Sequence, residues 1–123
     1  MVMLTLAACG RDETLTAFVP DGVSWQLSEI TGAEAPPQAR LTFPRARRLV
    51  LRTPCGRTAA RIAAPYPWFE LSGPLRRDRP CKKGAGGGPA LSTLARMTLA
   101  EVAGETLILS TPGGAAMVFT AQP

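Results

Sequence analysis

The sequence contains no histidine and no asparagine. Ser-His-Asp and Cys-His-Asn arrangements therefore cannot be assembled within the chain, and imidazole can serve neither as general base nor as metal ligand. Carboxylates are scarce, nine in 123 residues, and none forms a close pair suited to general acid–base work. No apolar run approaches the roughly 20 residues that a membrane-spanning helix requires. These absences favour binding over catalysis.

Hydrophobic residues make up 46% of the chain and charged residues 19%, which excludes a wholly disordered protein. The length suits one domain, against a usual size of about 100–200 residues. Twelve glycines and twelve prolines cut the chain into short pieces, which points away from a helix bundle and toward strands.

The N-terminus speaks to location. Met1 to Ala8 is a short apolar segment, and Leu6-Ala7-Ala8-Cys9 has the form of a bacterial lipobox, with small residues before the cleavage point. Cys9 would become the lipidated first residue, and Gly10-Arg11-Asp12-Glu13 would begin a polar tether. The absence of Lys or Arg ahead of the apolar segment suggests a true start further upstream. The alternative is a hydrophobic N-terminal strand with a chance cysteine. Gly10 after the cysteine suggests sorting to the outer membrane, by analogy with other lipoproteins.

Three cysteines are an odd number for a secreted protein. With Cys9 carrying lipid, Cys55 and Cys81 remain as one pair for an oxidising periplasm, closing a loop of 27 residues. The chain-entropy model assigns such a loop roughly 3–4 kcal/mol. The competing reading is two reduced, buried thiols in a cytosolic protein. Zinc wants four N/S ligands, and no metal or cofactor is expected.

Residues 10–22 read as the tether, with a short strand around Leu15 to Val19. Ser24 to Ile30 alternates as a half-buried strand does. Leu41–Phe43, Leu49–Arg52, Thr58–Ala63 and Trp68–Leu71 follow as strands, the last two joined through Pro65-Tyr66-Pro67. Ser72 to Gly88 reads as a long polar excursion. From Pro89 to Met97, Leu91, Leu94 and Ala95 fall at helical spacing, giving one short amphipathic helix at about 89–98. Glu101–Ala103, Thr106–Ser110 and Ala115–Thr120 close the chain as a meander, with Thr111-Pro112-Gly113-Gly114 as a hairpin turn. The expected fold is α+β, a strongly bent antiparallel β-sheet (a half-barrel) wrapped around that helix. Trp25, Phe43, Trp68, Phe69 and Phe119 are its expected core. Some of them could instead line a cleft between sheet and helix open to an acyl chain or apolar peptide. Tyr66, between two prolines, reads as a turn-capping aromatic.

Trp25-x-Leu27-x-x-Ile30-x-Gly32, then Leu41-Thr42-Phe43, Cys55, Cys81, a helix, Leu107-Ile108-Leu109 and Val118-Phe119 follow the order of features in META domains. The chain resembles that family of HslJ-like bacterial lipoproteins over about residues 23–120. Pro54-Cys55-Gly56 stands where the family has Gly-Cys-Asn. The resemblance implies a half-barrel on a helix, an extracytoplasmic location, no catalytic residues, and an envelope or stress-related role. The domain reading is then 1–8 as a lipoprotein signal remnant, 9–22 as lipidated cysteine and tether, and 23–123 as the META-like domain.

Charge is the most unusual local feature. Between Arg40 and Lys83 stand twelve basic residues against only Glu70 and Asp78, in a chain whose net charge is +5. Arg76, Arg77, Arg79, Lys82 and Lys83 are the densest part and the candidate contacts for anionic lipid headgroups. The plainer alternative is a solvated basic surface. Nucleic acid would suit the charge but not a lipobox. Gly84-Ala85-Gly86-Gly87-Gly88 is no phosphate loop, because Lys82 and Lys83 precede the glycines where a Walker lysine follows them. The expected function is a monomeric, non-catalytic, lipid-anchored periplasmic domain, with a periplasmic inhibitor or chaperone-like module binding a secreted protein as the alternative.

Overall fold

Where apolar and polar residues alternate, the chain forms strands, and eight of them make one antiparallel sheet. The computed structural model describes residues 11–35, 38–54, 56–77 and 88–122. The strands are β1 (Ser24–Ile30), β2 (Arg40–Thr42), β3 (Arg48–Thr53), β4 (Gly56–Ile62), β5 (Leu71–Arg77), β6 (Leu99–Ala103), β7 (Thr106–Ser110) and β8 (Ala116–Gln122). One helix, α1 (Gly88–Leu94), lies between β5 and β6 in sequence. The sheet order is β5-β4-β3-β2-β1-β8-β7-β6, so β1 joins a meander from the first half of the chain to one from the second. The α+β curled sheet around a short helix expected from the sequence is what forms.

Curvature has local causes. Register shifts between Leu27 and Glu29 in β1 and between Ala59 and Arg61 in β4, and such irregularities bend a strand and increase its twist. In the tight β6–β7 connection Gly104 has φ 61, the sign that turns matching strand twist demand. The curled sheet brings its inner face around a single core. Trp25 and Leu27 of β1, Leu49 and Leu51 of β3, Leu107 and Leu109 of β7 and Phe119 of β8 all enter it. Ala90 and Leu94 of α1 and Met97 just after it fill the same cluster, which explains why so short a helix persists: burial, not propensity, holds it. Trp25 is fully buried, and its indole N–H has no partner among the described residues.

The two ends of the sheet meet through the segment before β5. A single rung pairs Trp68 with Leu99. Phe69 N–H donates to the Thr98 carbonyl at 2.8 Å and Ala100 N–H to the Pro67 carbonyl at 2.7 Å, while Ala63 N–H donates to Glu70 at 2.8 Å. Residues 67–70 thus hydrogen-bond toward β6 on one side and the end of β4 on the other, closing the half-barrel at that point.

Four expectations are corrected. Leu15–Val19 is not a strand but a 3-10 turn over Leu15–Ala17, with Leu15 fully buried; Asp12 competes for the local backbone through its side chain, as Asx residues do. The strand expected at Trp68–Leu71 begins at Leu71 and runs to Arg77, so residues 72–77, expected to open the polar excursion, are strand instead. Pro74 is tolerated there because β5 is terminal in the sheet. The helix ends at Leu94, not Met97. Trp68 is not core: it is 56% exposed, whereas Phe69 beside it is buried. Phe43 is half-buried.

Candidate functional site

Alternation in β3 and β4 sends Leu49, Leu51, Thr58, Ala60 and Ile62 inward, where they are buried. The residues between them face outward, and most are arginines. Register sets Arg40 opposite Arg52 and Arg52 opposite Arg57, three arginines abreast across β2, β3 and β4. Further along the same face Arg48 lies opposite Arg61. Between these two rows runs a third made of Thr42, Val50 and Ala59. Val50 is only 5% exposed although it faces outward, as expected of a small residue flanked by long side chains.

A groove of about 630 Å³ occupies this face, lined by Pro44, Arg45, Arg48, Leu49, Val50, Arg57, Ala59, Ala60, Arg61 and Ser72. Among the described residues its lining contains four arginines and no carboxylate. Arg40 Nε donates to Gln26 Oε1 at 3.3 Å. Arginine presents a planar fork of donors that matches phosphate and carboxylate. The arrangement can therefore concentrate and orient anions.

A hydrogen-bonded latch sits at the β2–β3 connection, next to the groove. One Asp12 oxygen accepts from Thr14 N–H at 2.9 Å and from the Thr14 hydroxyl at 2.7 Å; the other accepts from the Thr16 hydroxyl. Arg47 N–H donates to Thr16 Oγ1 at 2.9 Å, and Arg47 Nη2 to the Arg11 carbonyl at 2.7 Å. Burial pushes the Asp12 carboxyl up, but the hydrogen bonds from Thr16 and Thr14 and the Arg47 charge outweigh it and hold it below its ordinary value. Arg47 has φ 63, a left-handed turn position rare for a residue with a side chain. Asp12, Phe43, Pro44 and Arg45 also border a small cavity of about 190 Å³.

A second cleft, about 390 Å³, opens where the sheet ends meet. Trp68, Phe69, Glu70 and Leu71 line one side and Ala95, Arg96, Met97 and Thr98 the other. Of the aromatics considered for a sheet–helix cleft, Trp68 and Phe69 line this one, and its opposite wall is the stretch after α1 rather than the helix itself.

Cys9, Cys55, Cys81, Arg79, Lys82 and Lys83 lie outside the described residues. Arg76 and Arg77 fall in β5, where the backbone pairs with Ala59 and Thr58, so Arg76 continues the register of the Thr42–Val50–Ala59 row. The arginines brought together, Arg40, Arg48, Arg52, Arg57 and Arg61, had not been singled out within the basic stretch. A signal existed: Arg48-Leu49-Val50-Leu51-Arg52 and Arg57-Thr58-Ala59-Ala60-Arg61 repeat arginine at a spacing of four, an even number that keeps both on one face of a strand. Among the described residues, no group of three acidic or cysteine side chains could hold a metal, and no helix is long and apolar enough to cross a membrane.

No protein-family model matches the sequence, and no curated protein matches it. The fold is similar to that of a DUF4847 family protein from Bacteroides vulgatus, known from its crystal structure, with 10% sequence identity and a TM-score of 0.61. The alignment covers 79% of this chain and 90% of that one. At that identity the likeness shows the fold alone.

Proposed function

We propose that this protein is a non-catalytic, lipid-anchored domain of the bacterial envelope, acylated at Cys9 and resting with its basic β2–β4 face on an anionic membrane. One observation carries the reading: the chain is fastened beside the arginines almost as soon as it leaves Cys9. Arg11 is already held by Arg47. Two residues of chain, roughly 7 Å at about 3.3–3.6 Å each, separate Cys9 from that bond. This is within a Debye length of about 8 Å at physiological salt. An acyl chain at Cys9 would therefore keep Arg45 and Arg48 inside the field of anionic headgroups, each basic residue contributing about 1 kcal/mol. Two signals give stable membrane residence where one gives only a reversible contact.

Kinship with the META/HslJ-like lipoproteins is part of this proposal, supported by the order of the sequence motifs and by a curled sheet on a helix. It would bring a periplasm-facing, outer-membrane location and a stress-related role. Arg76, Arg77, Arg79, Lys82 and Lys83 are further candidate contacts for anionic headgroups in this reading. The protein works as a monomer without a cofactor.

Expressed with its native upstream sequence in a bacterium, the protein should fractionate with membranes and incorporate palmitate, and Cys9→Ser should abolish both. The full-length Cys9→Ser chain should bind phosphatidylglycerol vesicles weakly, release them as salt rises, and ignore phosphatidylcholine. Charge reversal at Arg48 and Arg61, or at Arg76, Arg77 and Arg79, should weaken that binding more than reversal at Arg96. Wild-type protein that is soluble and unlabelled would end the reading.

A second reading, a module that holds a secreted protein, is favoured by Trp68, 56% exposed in the cleft beside the sheet edge. Exposed tryptophan in a cleft is a common anchor of protein interfaces. A photocrosslinker at position 68 should then trap one defined periplasmic protein that a crosslinker at position 105 does not.

A further inference from the structure

The outer face of β2, β3 and β4 sets like charges side by side. Arg40, Arg52 and Arg57 stand abreast, and Arg48 faces Arg61 on the same side. Like charges directly opposite on neighbouring strands destabilise a sheet. A sequence that departs from local self-consistency in this way tends to do so at a functional site. The two rows are four residues apart along β3 and along β4, about 13 Å at the usual rise of roughly 3.3 Å per residue. Across β2, β3 and β4 the uncharged Thr42, Val50 and Ala59 lie between them, and Arg76 follows in the same row on β5.

We propose that this face binds a doubly phosphorylated, saccharide-sized ligand, with one phosphoryl group seated on each arginine row. A phosphate between facing guanidinium groups accepts paired, charge-assisted hydrogen bonds. It also cancels the repulsion that the empty row sustains. The apolar floor of Val50 and Ala59 suits the CH face of a sugar ring, and a Thr42 hydroxyl at its edge suits a ring hydroxyl. The groove volume of about 630 Å³ falls within the range of about 300–1,000 Å³ for small-molecule sites. Among the described residues no carboxylate lines the groove to compete for the arginines. A ligand with one phosphate engages one row; joining two phosphates makes the second contact intramolecular, with a gain set by how well the span matches. The membrane reading enters only as the surface on which such a headgroup would be displayed.

The test uses the full-length Cys9→Ser chain at fixed ionic strength, titrated with a diglucosamine phosphorylated at both ends, the same disaccharide phosphorylated at one end, and inorganic phosphate. The doubly phosphorylated compound should bind at least about tenfold more tightly than the singly phosphorylated one, and should raise the melting temperature. The double substitution Arg48→Gln, Arg61→Gln should erase that preference, bringing the affinity for the doubly phosphorylated compound down to that for the singly phosphorylated one, because one row remains. The ligand-free double variant should melt no lower than its parent, since it loses a repulsion, and this separates loss of the site from loss of the fold. Equal affinity for one and two phosphates, or a preference that survives in the double variant, overturns the proposal. A further arm uses phosphatidylcholine vesicles with and without an acylated form of the doubly phosphorylated disaccharide. Binding only to the vesicles that carry it assigns the ligand to a membrane surface. Failure on all vesicles with the preference for the free compound intact would remove the membrane reading and leave a site for a free saccharide phosphate.

Discussion

The hydroxyl of Tyr66 accepts the backbone N–H of Val102 at 3.0 Å, tying the segment before β5 to strand β6. The same residue stacks on Phe18 with ring centroids 4.4 Å apart, and its own N–H donates to the Glu13 carbonyl at 2.8 Å. One side chain and its backbone thus join the N-terminal segment, the connection between β4 and β5, and the far edge of the sheet. Tyr66→Phe keeps the stacking but leaves the Val102 N–H without its partner. Urea unfolding should show a loss of about 1 kcal/mol, the usual net worth of such a bond. Tyr66→Ala, which also removes the ring, should lose clearly more. Equal losses would mean that the hydroxyl contributes nothing.

The Asp12 latch makes a pH-dependent contribution. Its folded pKa lies below the ordinary value for an aspartate, so the ionised form is favoured by folding. The contribution is complete above the unfolded pKa and disappears as pH falls through the folded one. Asp12→Asn should therefore lower the melting temperature at neutral pH, and the gap between variant and wild type should narrow once the pH drops below about 4. A gap that stays constant from neutral to strongly acid pH would show that the carboxylate charge is not involved.

Trp68 and Phe69 are adjacent, yet their substitutions should differ sharply. Phe69 is 2% exposed, and Phe69→Ala should cost about 3–5 kcal/mol through the cavity it leaves. Trp68 contributes its backbone to the seam while its ring is more than half exposed, so Trp68→Ala should change stability by less than about 1 kcal/mol. Chemical denaturation of the two variants side by side checks this.

By sequence, Cys55 immediately precedes β4 and Cys81 follows the end of β5 by four residues. The paired strands bring Thr58 and Arg77 together at that same end of the β4–β5 ladder. With Cys9 lipidated as proposed, Cys55 and Cys81 remain as one pair, so protein purified from the periplasm should contain a Cys55–Cys81 disulfide, and Cys55→Ala should lower stability by roughly 2–4 kcal/mol. Titration of two free thiols in denatured, unreduced protein would refute the bridge.

Where one face of a strand is apolar and the other polar, the sequence carried its own assignment. Ser24–Ile30 and Thr106–Ser110 are found with the bounds expected of them, because period-two alternation of Trp25 with Leu27, and of Leu107 with Leu109, leaves only one way to bury the apolar set. The helix was legible from Leu91 and Leu94 for the same reason at a different period. The segment Leu71–Arg77 offers no such alternation and carries Pro74 and two arginines; it is a strand because β4 supplies a hydrogen-bonding edge, which no local pattern reports. The exposure of Trp68 likewise follows from where the ends of the sheet meet, not from its own hydrophobicity. The candidate site divides along the same line. Its four-residue arginine spacing within β3 and within β4 was present in the sequence. The juxtaposition of Arg48 with Arg61, and of Arg40 with Arg52 and Arg57, was decided by strand register, which arises only when the inner faces are packed together.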